Sequence, residues 1–117
     1  MIGGISDINI SFILPTFNER ENILPLLDEL LGLSDRYEVE LIVVDDNSCD
    51  GTAKLVREYA KADRRVRLIS RLGRSGLSSA IKEGLLNSTS DIAVVMDADG
   101  QHPVSYTHLT LPTILLV

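Results

Sequence analysis

Three short polar segments of this 117-residue chain carry the side chains best suited to hold charge. They are Pro15-Thr16-Phe17-Asn18-Glu19, Asp45-Asp46-Asn47-Ser48 and Asp97-Ala98-Asp99-Gly100-Gln101-His102-Pro103. Together they contain five carboxylates, on Glu19, Asp45, Asp46, Asp97 and Asp99. Carboxylates held close together repel unless a cation or a hydrogen-bond donor offsets them. Hard oxygen ligands of this kind suit Mg2+ or Mn2+, which typically take one or two carboxylates plus phosphate oxygens of a ligand. The expected chemistry is therefore a divalent cation bridging the protein to a diphosphate. Each segment alone also has a purely structural reading. Asp45-Asp46 fits a solvated turn, Asp50 a helix cap, Gly73 and Gly76 turn glycines, His102 a turn before Pro103, and Cys49 an inert loop thiol.

The elements around these segments decide between the two readings. Residues 9–14, NISFIL, are β-branched and aromatic and stop at Pro15, which predicts a buried strand. Pro25 is tolerated in a first helical turn, so Asn22 is the expected N-cap, with Ile23, Leu24 and Pro25 following. Thr16 to Glu21 is then an irregular loop, and Ile23, Leu27, Leu30 and Leu31 share one face up to Gly32. A second strand is expected at 39–44, a helix at about 52–62 with Leu55, Val56 and Tyr59 inward, and a third strand at 65–69. Gly73 to Gly76 forms a loop, a helix covers about 77–87, and a fourth strand at 91–96 ends in Asp97. Strands alternating with helices of ten to thirteen residues predict an α/β fold, a mostly parallel sheet flanked by helices with right-handed crossovers. In such sheets ligands bind beyond the carboxyl ends of the strands, near the point where strand order reverses. All three acidic segments fall at that edge.

Composition narrows the function classes. The length allows one domain, and 44% hydrophobic with 24% charged residues excludes a disordered or fibrous chain. A net charge of −6 and a pI near 4.7 argue against a general nucleic-acid binder. The single cysteine forms no internal disulfide and fits a reducing, cytoplasmic compartment. The first fifteen residues hold no Lys or Arg and include Asp7, so no signal peptide is expected. No apolar run approaches the roughly 18 residues of a spanning helix. Neither a Gly-x-x-x-x-Gly-Lys-Ser/Thr loop nor a Gly-x-Gly-x-x-Gly after the first strand is present, which weakens P-loop and dinucleotide-dehydrogenase readings. Every Lys, Arg, Asp and Glu lies within 1–103, and the last fourteen residues, VSYTHLTLPTILLV, carry none. That tail lacks a clean period, Pro112 speaks against a strand, and its first ten residues resemble a translated sequencing adapter. The expected organisation is a domain over 1–103 and a non-native read-through tail over 104–117, with a natural β-strand edge as the alternative for the tail. Resequencing the source locus tests this, since a gene continuing through the same codons would contradict it.

The segments ILPTFNERENI (13–23), LIVVDDNSCDGT (41–52), GRSGLSSAIKEGL (73–85) and VVMDADGQHP (94–103) together resemble glycosyltransferase family 2. They are most similar to its dolichyl- or polyprenyl-phosphate mannosyltransferase branch, which the GLSSA and QHP pieces favour. They cover nearly all of 9–103 in the family's order. The resemblance implies a Rossmann-like GT-A fold, with 1–103 as its nucleotide-sugar-binding half. Position by position, it implies that Pro15, Phe17 and Glu19 line the nucleotide pocket. Val44 and Asp46 would contact base and ribose with Asp45 supporting them, and Asp97 and Ala98 would face the nucleotide sugar. Asp99 and Gln101 would bind the metal, Asp97 and Asp99 would form the catalytic pair, and Arg71 and Arg74 would neighbour the phosphates. Phe17 stands where the family usually has Tyr, and Gly100 where Leu is frequent.

The reaction so implied is an inverting, metal-dependent transfer of a sugar, mannose foremost, from GDP-mannose or a UDP-sugar to a dolichyl or polyprenyl phosphate. The acceptor is already an anion, so a strong general base is less needed, and Mg2+ or Mn2+ offsets charge on the departing diphosphate. The implied location is the cytoplasm, or the cytoplasmic face of a membrane for a full-length enzyme. Nothing in 104–117 matches the acceptor-facing part of the family, so the 117-residue chain is expected to be an inactive fragment. Two rivals remain. A haloacid-dehalogenase-like phosphatase also carries Asp-x-Asp after an apolar strand, but on the first strand, whereas Asp97 follows the fourth. A non-catalytic nucleotide-binding module of the receiver type needs its acidic pair after the first strand, whereas Asp45-Asp46 follow the second.

Overall fold

The computed structural model describes residues 8–73, 76–98 and 113–116. Its elements run β1 (Asn9–Thr16), α1 (Arg20–Leu31), β2 (Glu38–Asp45), α2 (Thr52–Ala62), β3 (Val66–Ser70), α3 (Leu77–Leu86), β4 (Ile92–Val95) and β5 (Thr113–Leu116), with a 3-10 turn at Gly32–Asp35. The strands pair in parallel in the order β3-β2-β1-β4-β5. The chain steps outward from β1 through β2 to β3, then returns to β4 on the other side of β1. A constant crossover hand then places the helices of the two directions on opposite faces, and the packing agrees. Phe12, Leu14, Leu41 and Val43 meet Ile23, Leu27, Leu30 and Val56 of α1 and α2 on one face. Ile13, Ile42, Val44 and Val95 meet Ala80 of α3 on the other. Successive strand residues alternate between these two layers, as the period of two requires.

The α/β expectation holds, with three local corrections. First, β1 continues through Pro15 to Thr16, in register with Val44 and Asp45 of β2. The Ile13 carbonyl accepts from the Met96 amide at 3.2 Å, and the Thr16 carbonyl accepts from the Asp46 amide at 3.0 Å. Odd residues of β1 therefore bond toward β4, and the ladder with β4 ends at Ile13↔Val95, before the missing proline N–H is needed.

Second, α1 starts at Arg20, not Ile23, and Pro25 lies inside it. The Asn22 and Ile23 amides both donate to the Glu19 carbonyl at 3.0 Å. The cap comes from far along the chain: Thr52 Oγ1 accepts the Glu19 amide at 3.0 Å, and Asp50 Oδ2 accepts the Arg20 amide at 3.1 Å. Third, Thr113–Leu116 pairs with β4 as an edge strand, although Pro112 argued against one. The strand begins after the proline, where no ladder bond is lost. The boundary proposed at 103/104 lies outside the described residues.

Two polar clusters tie neighbouring elements together. Glu40 of β2 accepts from Ser11 Oγ at 2.7 Å, from the Arg67 guanidinium at 2.8 Å and from Thr89. Burial disfavours its charge, but these donors and the charge of Arg67 outweigh that and hold its carboxyl below the usual range. Between α1 and α2, the Tyr59 hydroxyl donates to Asp28, which with partial burial pushes the phenol up to about 12.

Candidate functional site

The carboxyl edge of the sheet is built from two loops fastened to each other. The Asn18 amide donates to Ser48 Oγ at 2.8 Å, and the Cys49 amide donates to Asn18 Oδ1 at 3.0 Å. Asn18 and Asn47 both sit at positive φ (56° and 65°), a conformation asparagine tolerates better than most side chains. Asp50 caps two helices at once: Oδ2 takes the Arg20 amide, and Oδ1 takes the Thr52 amide at 3.0 Å and the Thr52 hydroxyl. Desolvation opposes its ionisation, but the Thr52 and Arg20 donors prevail and hold its carboxyl below the usual carboxylate range.

The acidic pair after β2 is buried and held by the protein itself. Asp45 accepts Thr16 Oγ1 at 2.7 Å, Ser48 Oγ at 2.6 Å and the Ser48 amide at 2.9 Å. Asp46, only 5% exposed, accepts two guanidinium contacts from Arg71 at 3.2 and 3.0 Å and the Gly76 amide at 3.2 Å. The repulsion between these carboxylates is thus offset by hydroxyls, amides and an arginine, where the spacing alone suggested a cation. Arg71 also donates to Ser79 Oγ at 2.7 Å and to the Gly76 carbonyl at 3.0 Å, and pairs with Glu83 at 3.5 Å. This corrects its expected place among the phosphate contacts: the guanidinium is turned into the protein.

Above this pair lies an open cleft of ≈ 170 Å3, lined by Pro15, Thr16, Phe17, Glu19, Asp46, Leu77 and Ala80. It sits beside β1, from which the chain's strands depart in both directions, the position the topological rule predicts. Whole small-molecule sites span roughly 300–1,000 Å3, so this cleft fits one part of a ligand, such as a base or a sugar ring. The Phe17 ring, 43% exposed, offers an aromatic face at its mouth.

Four expected residues therefore converge: Pro15, Phe17, Glu19 and Asp46. Val44 does not join them. Its side chain is on the same face of β2 as Asp46 but two residues further back, fully buried under α3 with Ile13, Ile42 and Ala80. Asp97 is exposed just past the end of β4, the strand next to β1, while Ala98 packs into the core layer of α1 and α2. Asp99, Gly100, Gln101, His102 and Arg74 lie outside the described residues. Among the described residues no three His, Cys, Asp or Glu side chains are grouped to hold a metal ion. Cys49 is exposed and makes no disulfide.

Sequence reasoning missed Thr16, Leu77 and Ala80. Leu77 and Ala80 stand three apart at the start of α3, so they share a helical face, and that spacing was the available signal.

Comparison with known proteins agrees with this fold. The model of the glycosyl transferase family 2 matches residues 11–111. The chain is 40% identical over 96 residues to a dolichol-phosphate mannosyltransferase of Pyrococcus furiosus, covering 82% of the chain and 27% of that protein. It is 33% identical over 102 residues to a dolichyl-phosphate beta-glucosyltransferase of Trichomonas vaginalis, covering 81% of the chain and 30% of that protein. Among solved structures, a mannosyltransferase from Pyrobaculum calidifontis in complex with GDP-Man and Mn2+ superposes with a TM-score of 0.60 at 32% identity. That match covers 78% of the chain and 27% of the mannosyltransferase. The chain thus spans about a third or less of the length of these relatives.

Proposed function

Given that the chain belongs to glycosyl transferase family 2, we propose that it is the nucleotide-sugar-binding part of a hexosyltransferase. The donor is a nucleoside diphosphate sugar, with mannose as the favoured sugar, and the acceptor is a dolichyl or polyprenyl phosphate. The observation that carries this reading is the convergence of Pro15, Phe17, Glu19 and Asp46 on one cleft beside β1. The likeness to dolichol-phosphate mannosyltransferase supports the choice of sugar and acceptor. Glucose is the second reading for the sugar, favoured by the likeness to the beta-glucosyltransferase.

In this reading Phe17 offers its ring to the base and Asp46 accepts hydrogen bonds from base or ribose. Glu19 and Pro15 shape the rim, and Asp97 faces the sugar past the end of β4, where Ala98, its side chain buried under α1 and α2, offers backbone alone. Asp99 and Gln101 would hold Mg2+ or Mn2+, since carboxylate and amide oxygens are the donors such hard cations select. When bound, the cation supplies positive charge to offset the departing diphosphate. The described residues are compatible with that division of labour, because Asp46 already has its own cationic partner in Arg71. The longer enzyme would work at the cytoplasmic face of a membrane. Among the described residues no helix is long and apolar enough to cross one.

Thermal melting of the 117-residue chain tests the reading. GDP or UDP at 100 times its Kd should stabilise the chain by about 2.7 kcal/mol, more with Mn2+ than without. No shift with either nucleotide would refute the proposal, and hydrolysis of a small phosphoester would favour the phosphatase rival.

A further inference from the structure

We propose that Arg71 is a positioning residue, which acts on the nucleotide through Asp46 and the first turn of α3 and not by touching phosphate. This deepens the nucleotide-binding reading and rests on it. The Arg71 side chain is only 8% exposed. Its Nε and Nη2 reach Asp46 Oδ1 at 3.2 and 3.0 Å, and Nη2 also reaches the Gly76 carbonyl at 3.0 Å. Its Nη1 donates to Ser79 Oγ at 2.7 Å and pairs with Glu83 Oε1 at 3.5 Å. A guanidinium offers five N–H groups in a rigid fork. Four hydrogen bonds and one ion pair engage that whole set inside the protein.

The contacts close a ring. Asp46 Oδ2 accepts the Gly76 amide at 3.2 Å, while the Gly76 carbonyl accepts from Arg71. Gly76 holds φ at 94° as it opens α3, so the loop enters the helix through a backbone state that favours glycine. The fork thereby couples the end of β2 to the start of α3, and Asp46, Leu77 and Ala80 from those two places are neighbours in the cleft wall. A carboxylate that reads a base or a ribose must point in one direction, and losing one hydrogen bond to a charged acceptor costs about 10- to 100-fold in affinity. Lysine would keep the charge but not the fork.

The test measures affinities of guanosine, GMP and GDP, and of uridine, UMP and UDP, by calorimetry on the 117-residue chain with Mn2+. Arg71→Lys is expected to weaken binding about 10-fold, by the same factor for nucleoside, monophosphate and diphosphate. The Arg71→Lys/Asp46→Asn double variant is expected to bind no more weakly than Asp46→Asn alone, since both changes remove one interaction. A loss that grows with each added phosphate would overturn the proposal in favour of direct phosphate contact. A lowered Tm with unchanged affinity would overturn it in favour of a purely structural role. If Arg71→Lys does not fold, Ser79→Ala removes one partner of the fork and leaves the Asp46 pair. It should give a smaller loss of about 2- to 3-fold, again flat across the series, and no loss or a phosphate-dependent one would overturn the idea. Absence of nucleotide binding by the unaltered chain would sink the functional reading, and this inference with it.

Discussion

Gly84→Ala in α3 is expected to destabilise the fold, although alanine is the better helix former. A Cβ at position 84 would overlap Ile13 Cγ2 and stand 3.3 Å from Val44 Cγ2. Both side chains are fully buried, and Ile13 belongs to the central strand of the sheet. A β-branched side chain has little rotamer freedom with which to yield. Replacing glycine in a helix interior returns about 1 kcal/mol, whereas overpacking a tight core costs roughly 1–3 kcal/mol. The net expectation is a loss of about 1–2 kcal/mol at the overpacked end of that range. Gly32→Ala is the matched control. That residue has φ −62° and ψ −17°, and an added Cβ meets nothing within 4 Å. Alanine fits there without strain and should stabilise by about 0.4–1 kcal/mol by restricting the unfolded chain. Urea unfolding reads both, with the midpoint of Gly84→Ala falling by about 0.5–1 M for a slope near 2 kcal/mol/M. A Gly84→Ala variant as stable as the parent would refute the close approach of α3 to β1.

Three further outcomes are expected. Tyr59, pushed up to about 12 chiefly by its hydrogen bond to Asp28, should be a late tyrosine in an alkaline spectrophotometric titration, and Tyr59→Phe should remove that phase. Because its folded value lies above the unfolded 10.0, its stabilising effect is full below pH 10 and fades as pH rises through about 12. Glu40 shows the opposite sign: held below 4.5 against burial by Ser11, Arg67 and Thr89, it contributes above pH 4.5, and the contribution is lost as pH falls through the depressed value. Chemical denaturation from pH 6 downward should therefore show a shallower acid decline for Glu40→Gln than for the parent. Asp50→Ala removes acceptors from the starts of both α1 and α2, and its cost in urea unfolding should be about 1–2 kcal/mol, the range of a strong helix cap.

The alternation of elements was legible because each strand and helix states its own period, and α2 was read at Thr52–Ala62 from its apolar stripe alone. The acidic segments could be placed at one edge because a parallel sheet points all its strand ends the same way. What could not be read was supplied from a distance. The cap of α1 comes from Asp50 and Thr52, thirty or more residues along, so Pro25 suggested a later start than the true one. Pro15 suggested an early strand end because whether its absent N–H costs a bond depends on where the neighbour it faces, β4, stops pairing. Arg71 looked available to a phosphate because its partners, Asp46, Gly76 and Ser79, meet only when β2 and α3 are in place. Val44 is the exception: it shares the parity of Ile42 and Asp46 on β2 but lies inside the apolar run, so it already belonged under α3 and not at the strand end.

The fastening of the two loops at the cleft has a consequence for how the site comes into being. The amides of Asn18, Glu19 and Arg20 are donated to Ser48, Thr52 and Asp50, side chains that reach them only after the whole β1-α1-β2 unit has closed. Loop closure over such a span is entropically costly until the strands pair. These amides are thus protected from hydrogen exchange by the same cooperative event that buries Phe12 and Leu41, not by a local helix that forms and frays by itself. The cleft wall therefore belongs to the folding unit of the core, and a partly folded chain has no half-formed site.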